Sequence, residues 1–377
     1  MDISMQNRFA SLFIAALLPL LLFKWFVPTP IGQIDFWLMW LAAMVVVGLP
    51  LLYAEIGLAH RSQKIPAQGI QELTRQADTS TIWRSFVWLT VLLSLVIAGL
   101  SIDAVSANLL DATQKLGMSV NVPDYALGII MVVIAGMLSL LGGSTLVVSL
   151  ALIAIAFVMA AVNNVSSLAL IMTEPSLGEW ARAVILALVS VGVGTGLFWF
   201  NSPLVSRDPN HSAEIGKNTR EIATKTVLPI WLTQLVIGSV ATMETLIFTT
   251  GNFAPITTII YAFGVLAAAA FFMHYASTQI ATVFQRFGIW IATAISILIT
   301  ILLVALATPQ VLSGVLVVVS IISALILAVF SGWQMKISHM RKSLNFKSEG
   351  VYNIWRVAIR ILVPLLIVIA IAGWLMS

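Results

Sequence analysis

Few side chains in this sequence could do chemistry. The 377 residues include no Cys and four His, at positions 60, 211, 274 and 339. Disulfides, thiolate nucleophiles and Cys-ligated metals are therefore excluded. No HExxH, GxGxxG or GxxxxGK[ST] pattern occurs, so zinc proteolysis, Rossmann dinucleotide binding and P-loop phosphate chemistry have no residues to carry them. An enzyme reading lacks a nucleophile, a metal set and a paired-acid cluster. The feature that does stand out is Ser190-Val191-Gly192-Val193-Gly194-Thr195-Gly196. Each Gly inside a helix costs roughly 1 kcal/mol relative to Ala. Gly192 and Gly196 alone would form a GxxxG packing pair, which leaves Gly194, on another face, unexplained. An unwound segment accounts for all three, because Gly tolerates non-helical angles and lets a ligand approach the main chain.

The elements that must position this segment are membrane spans. Apolar residues make up 60% of the chain and charged residues 9%, with a mean hydropathy of +1.04, against roughly 45–50% and 25% in soluble domains. A bilayer core takes about 20 apolar residues per helix. The charge-free windows then give eleven spans, near residues 9–27, 35–58, 85–109, 125–141, 145–171, 183–205, 227–249, 258–285, 288–307, 311–334 and 357–376. No cleavage site follows Arg8 and the first apolar run, so that run reads as a retained span. The loops are short, and 1–377 reads as a single all-α transmembrane domain. The connector after span two could hold an amphipathic helix around Gly69 to Ala77, lying on the inner leaflet, or be a solvated link.

The charges set the orientation. With the N-terminus cytoplasmic, Arg8, Arg61, Lys64, Arg75, Arg84, Arg207, Lys217, Arg220, Lys225, Arg286, Lys336, Arg341, Lys342, Lys347 and Arg356 all fall inside, leaving only Lys24, Lys115 and Arg182 outside and Arg360 just within the last span. The positive-inside rule fixes this arrangement and puts the C-terminus outside, in a cell (inner) membrane. The net charge of +4 is thus a topology signal, and a nucleic-acid partner is not called for; the lipid bilayer is.

Charges inside a bilayer are rare and usually functional. Glu55 lies near the inner end of span two. Asp103 and Glu244 read as groups near the outer interface, Glu244 within reach of Lys24, and Asn163 and Asn164 likewise mark that interface. His274 lies four residues from Ala270 and three from Phe271, so it could share their helix face and relay protons, or pack beside Tyr275.

Inverted-repeat transporters place two helix breaks at corresponding positions. Five spans before the glycine-rich segment, Pro19 suggests a kink or break near Phe13 to Leu18. The residues here resemble the neurotransmitter:sodium symporter family, whose fold is that of the leucine transporter (LeuT). The resemblance rests on Val47-Gly48-Leu49-Pro50-Leu51-Leu52-Tyr53-Ala54-Glu55-Ile56-Gly57-Leu58-Ala59, the glycine-rich span six, Gln285-Arg286-Phe287-Gly288, Phe330-Ser331-Gly332-Trp333 and Ile354-Trp355-Arg356 through Arg360 and Pro364. It implies repeat one over about 9–171, repeat two over about 183–334, and an extra helix over about 357–376. It also implies a substrate site at Gly192, Gly194, Thr195 and Gly196, with Ser101, Phe271, Tyr275 and Pro19 around it. Ser190 falls on a hydroxyl that helps hold a first sodium ion, Arg8 near an inner gate and Lys24 near an outer gate, and the resemblance implies that Glu55 is a structural carboxylate bonded to neighbouring backbone.

Other family positions have changed. Ala15 through Leu22 are all apolar where span one should contact sodium and a substrate carboxylate, and Ala270 and Phe271 replace the hydroxyl pair of a second sodium site. Neither side chain can ligate a hard cation. The expectation is a secondary transporter of a small organic solute, an amino acid or amine, needing no cofactor and with sodium coupling placed in doubt. The alternative is a transporter-derived protein that no longer transports and supports envelope integrity, assembly or sensing through a membrane protein partner.

Overall fold

A computed structural model describes residues 3–27, 33–117, 123–163, 171–192, 194–205, 222–247 and 254–376. Asn164, Arg207, His211, Lys217 and Arg220 lie outside the described residues, as do the side chains of Asn163 and Glu244. The charge-free runs are helical because lipid offers no partner for backbone N–H and C=O groups, which must be satisfied within the segment.

The first helix, α1 (Ile3–Leu22), ends in a 3-10 turn over Phe23–Trp25. Helices α2 (Ile34–Ala43) and α3 (Leu49–Ser62) form one span through a π-turn at Met44–Gly48. Pro50 lies in the first turn of α3, where a missing N–H costs little. Helix α4 (Pro66–Gln76) is amphipathic, but its apolar face, with Ile70 and Leu73, is buried against the bundle. It therefore docks on protein instead of lying on a leaflet or linking spans through solvent. Next come α5 (Phe86–Lys115), α6 (Asp124–Leu138) and α7 (Ser144–Asn163). The turn between the last two passes through Gly142 at φ 74°.

Helix α8 (Leu177–Ser190) opens on a capping box, in which the Ser176 hydroxyl accepts from the Glu179 N–H and the Glu179 carboxylate from the Ser176 N–H. After an interruption comes the single turn α9 (Leu197–Phe200). The rest are α10 (Thr224–Ile247), α11 (Ala254–Val283), α12 (Ile289–Leu306), α13 (Pro309–Val329), α14 (Ile337–Leu344), α15 (Glu349–Val357) and α16 (Val363–Met376). π-Turns at Phe330–Gln334 and Ala358–Leu362 follow α13 and α15.

Among the described residues nine segments are long and apolar enough to cross a membrane, and Tyr125–Leu141 is a shorter apolar one. With the interrupted α8–α9 segment, these account for the eleven spans. Only an isolated bridge between Gln33 and Ile171 has β character among the described residues. Helices α5 and α11 pack on each other at the centre, α11 also against α6, α7 and α12, while α1 pairs with α10 and α8 with α2 and α16. The α5 and α11 spans are 78% and 72% buried, whereas those of α12 and α16 are 28% buried. The first pair is therefore core, and the second faces lipid.

Candidate functional site: an interrupted helix at the centre of the bundle

Helix α8 stops at Ser190, and Gly192, Gly194 and Gly196 take φ values of 59°, 82° and 70°. These left-handed angles cost a non-Gly residue roughly 1–2 kcal/mol each. Space is as restrictive as geometry. A Cβ on Gly192 would stand 2.4 Å from Cδ1 of Leu18, one on Gly194 2.4 Å from Cβ of Ser323, and one on Gly196 2.5 Å from the Tyr275 hydroxyl and 3.0 Å from Thr90. The interruption is thus pressed between α1, α5, α11 and α13.

An interrupted helix leaves backbone groups without helical partners. Here the chain's own side chains take them up. Gln234 on α10 donates its amide to the Ser190 carbonyl at 3.0 Å, and Ser323 on α13 donates to the Gly194 carbonyl at 2.9 Å. The Thr195 hydroxyl donates to the Gly192 carbonyl at 2.6 Å and accepts from the Leu197 N–H at 3.3 Å. Across the break, fully buried Glu55 accepts the Trp199 N–H at 3.0 Å, at the positive end of the short α9. That bears out the structural reading of Glu55. The Trp199 indole donates to the Lys64 carbonyl at 2.8 Å, tying the inner half of the segment to the connector before α4.

The same inner half is latched to α1. Asn7 donates to the Ser202 and Val205 carbonyls at 3.2 and 3.3 Å, and Ser11 to the Asn201 carbonyl at 2.9 Å. Arg8 is exposed and lies near His60. At the opposite end Lys24 rests over the rings of Trp25 and Tyr261, 5.7 and 5.8 Å from their centroids. A cavity of about 420 Å³ opens there, lined in part by Trp25, Arg182, Ile185, Gln310 and Trp374.

No family model matches the chain, and no curated protein matches it. The search of solved structures gives a different answer. The backbone is similar to that of MhsT in complex with L-phenylalanine. The TM-score is 0.73 at 14% identity, and the match covers 98% of both chains. This establishes a LeuT-like fold and a multi-pass membrane protein.

Within the LeuT-like frame, one expectation needs correction. Helix α1 runs through Pro19 without a break. The proline removes the bond that position 19 would donate to the Ala15 carbonyl, but Leu17, Leu18 and Leu20 to Leu22 are packed into the core, and that packing keeps the helix continuous. The His274 imidazole stands beside Gly142, with Cε1 3.8 Å from where a Cβ would be. Tyr275, the next residue, is the one turned to Gly196.

Phe271 is buried one turn from Tyr275 and meets Phe272 edge-on, and Ala270 is fully buried. Ser190 donates to the Ala187 carbonyl at 3.1 Å and faces the Met44 sulfur at 3.4 Å. The Ser101 hydroxyl is buried and finds no hydrogen-bond partner among the described residues. Among the described residues no His, Asp and Glu cluster could hold a metal.

Three residues at the site were not singled out from the sequence: Thr90, Gln234 and Ser323. A signal for the first exists in hindsight, since Thr90, Ser94 and Ser101 recur at intervals of four and seven and so line one stripe of α5. Gln234 and Ser323 are each one of several polar residues scattered along apolar helices, and only tertiary packing shows what they meet.

Proposed function

We propose that this protein is a secondary transporter of a small organic solute, an amino acid or amine, working by alternating access between the 9–171 and 183–334 repeats. The observation that carries the reading is the interruption at Gly192 to Gly196, enclosed by Thr90, Tyr275 and Ser323 within a LeuT-like fold. Irregular backbone at such depth is tolerated where it is buried in protein or lines a cavity. Gly192, Gly194, Thr195, Gly196, Ser101, Phe271 and Tyr275 then surround the solute. Asn7 and Ser11 hold the cytoplasmic side shut beside Arg8, and the cavity near Lys24 leads in from outside.

The same geometry speaks against sodium at the positions the resemblance assigns. The Ser190 carbonyl already accepts from the Gln234 amide, and Ala270 and Phe271 bring no side-chain oxygen. We therefore place coupling elsewhere, or in the solute gradient itself. Uptake of labelled amino acids and amines into proteoliposomes, with sodium, proton or no imposed gradient, tests the proposal. Saturable uptake that persists without sodium supports it, and no uptake of any candidate overturns it.

One observation favours a second reading, a transporter-derived protein serving assembly or sensing: the break is satisfied by the chain's own side chains. Stable co-purification of a membrane partner without measurable flux would support it.

A further inference from the structure

At the basic end of the bundle, the segment from Lys336 to Arg360 holds Lys336, Arg341, Lys342, Lys347, Arg356 and Arg360 against a single acid, Glu349. Glu349 is already paired with Arg341. Arg356 and Arg360, one turn apart where α15 passes into the last span, are close enough to repel each other.

Arg360 is held in place from one side only. Its Nε donates to the Gly332 carbonyl, and its guanidinium lies 5.1 Å from the centre of the Trp333 ring. Gly332 makes this approach possible, since a Cβ there would come within 3.0 Å of the Arg360 Cγ. The terminal nitrogens of Arg360 and the whole Arg356 guanidinium have no hydrogen-bond partner among the described residues. Beside them Trp333, Val357 and Ile361 are 58, 58 and 60% exposed.

Two guanidiniums with free donors, next to an exposed apolar strip where a span enters the bilayer, match one kind of molecule. Arginine forks suit phosphate oxygens, basic pockets between spans on the cytoplasmic side bind anionic head groups, and an exposed tryptophan suits the interface. We propose that Arg356 and Arg360 bind the phosphate of an anionic phospholipid, with its acyl chains along Trp333, Val357 and Ile361. The inner leaflet follows from the positive-inside orientation. The site lies on the lipid-facing side of the last two spans, away from the interruption, so it stands or falls independently of transport.

The test is the thermal unfolding of the full chain in detergent. Phosphatidylglycerol, phosphatidylcholine or inorganic phosphate is titrated in, and the mole fraction giving half-maximal stabilisation is recorded. Phosphatidylglycerol alone should stabilise. Arg356→Gln, which removes no protein hydrogen bond, should raise the required mole fraction about fivefold, the worth of one basic residue near an anionic surface. Arg360→Lys keeps the charge but loses the fork and should cause a smaller shift, and Arg182→Gln at the opposite end should cause none. Equal stabilisation by phosphatidylcholine, full stabilisation by inorganic phosphate, or an unchanged response in Arg356→Gln would each overturn the proposal.

Discussion

Glu55 offers the sharpest check on how the interruption is held. Its carboxylate is fully buried and accepts the Trp199 N–H at 3.0 Å, with the backbone N–H groups of Phe198 and Gly194 also directed at it. A hydrogen bond to a charged group is worth roughly 1.5–3 kcal/mol. A negative charge at a helix N-terminus adds up to about 2 kcal/mol in a partly buried setting. Glu55→Ala should therefore destabilise the fold by roughly 3–5 kcal/mol, about two to four orders of magnitude in the folding equilibrium. Glu55→Gln keeps the shape and one acceptor, loses the charge, and should cost roughly 1–2 kcal/mol.

Thermal unfolding gives the global effect, and thiol labelling gives the local one. Since the chain has no Cys, Thr195→Cys introduces a single thiol at a position 3% exposed in the structure. Maleimide should react with it about tenfold faster in the Glu55→Gln background, because opening the break becomes easier by about that equilibrium factor. If Glu55→Ala unfolds at the parent temperature and labelling is unchanged, the carboxylate does not hold the second half-helix.

Three further outcomes follow from the same geometry. Gly194→Ala combines a left-handed φ with a Cβ 2.4 Å from that of Ser323 and should cost roughly 2–5 kcal/mol in unfolding stability. Adding Ser323→Gly relieves the clash but also removes the bond to the Gly194 carbonyl, so it should recover only part of the loss, and full recovery would show that neither the backbone angle nor that bond matters. Gln234→Leu leaves the buried Ser190 carbonyl without its donor and should lower stability by roughly 1–3 kcal/mol; an unchanged melting curve would mean that the bond contributes nothing. Replacing sodium by choline should leave the melting temperature unmoved, whereas an ion bound at 100 times its Kd would add about 2.7 kcal/mol, so a sodium-dependent rise would refute the reading of Ser190.

The closed interruption also frames what transport would require. For a solute to enter, Leu18, Ser323 and Tyr275 must move away from the three glycines, and the Asn7 and Ser11 bonds must break for it to leave at the Arg8 end. Each of these hydrogen bonds is worth about 1 kcal/mol net, which is small enough for solute binding to shift.

Much of the fold follows from the sequence by itself, because the physics is local. Charge-free runs of about 20 residues must be helices in lipid, and three alternating glycines mark where one helix stops. The structural role of Glu55 follows from the family resemblance and not from span two itself, since its donor, the Trp199 N–H, lies 144 residues along the chain. The misreading has the opposite origin. Pro19 disturbs an isolated helix, but close packing around it keeps α1 whole. That Tyr275 meets Gly196 depends on how α11 is rotated against α5. The partners of the break, Thr90, Gln234 and Ser323, come from three helices far apart along the chain. Their roles arise only where those helices converge, since a hydroxyl or amide in an apolar span takes its meaning from the backbone group placed opposite it.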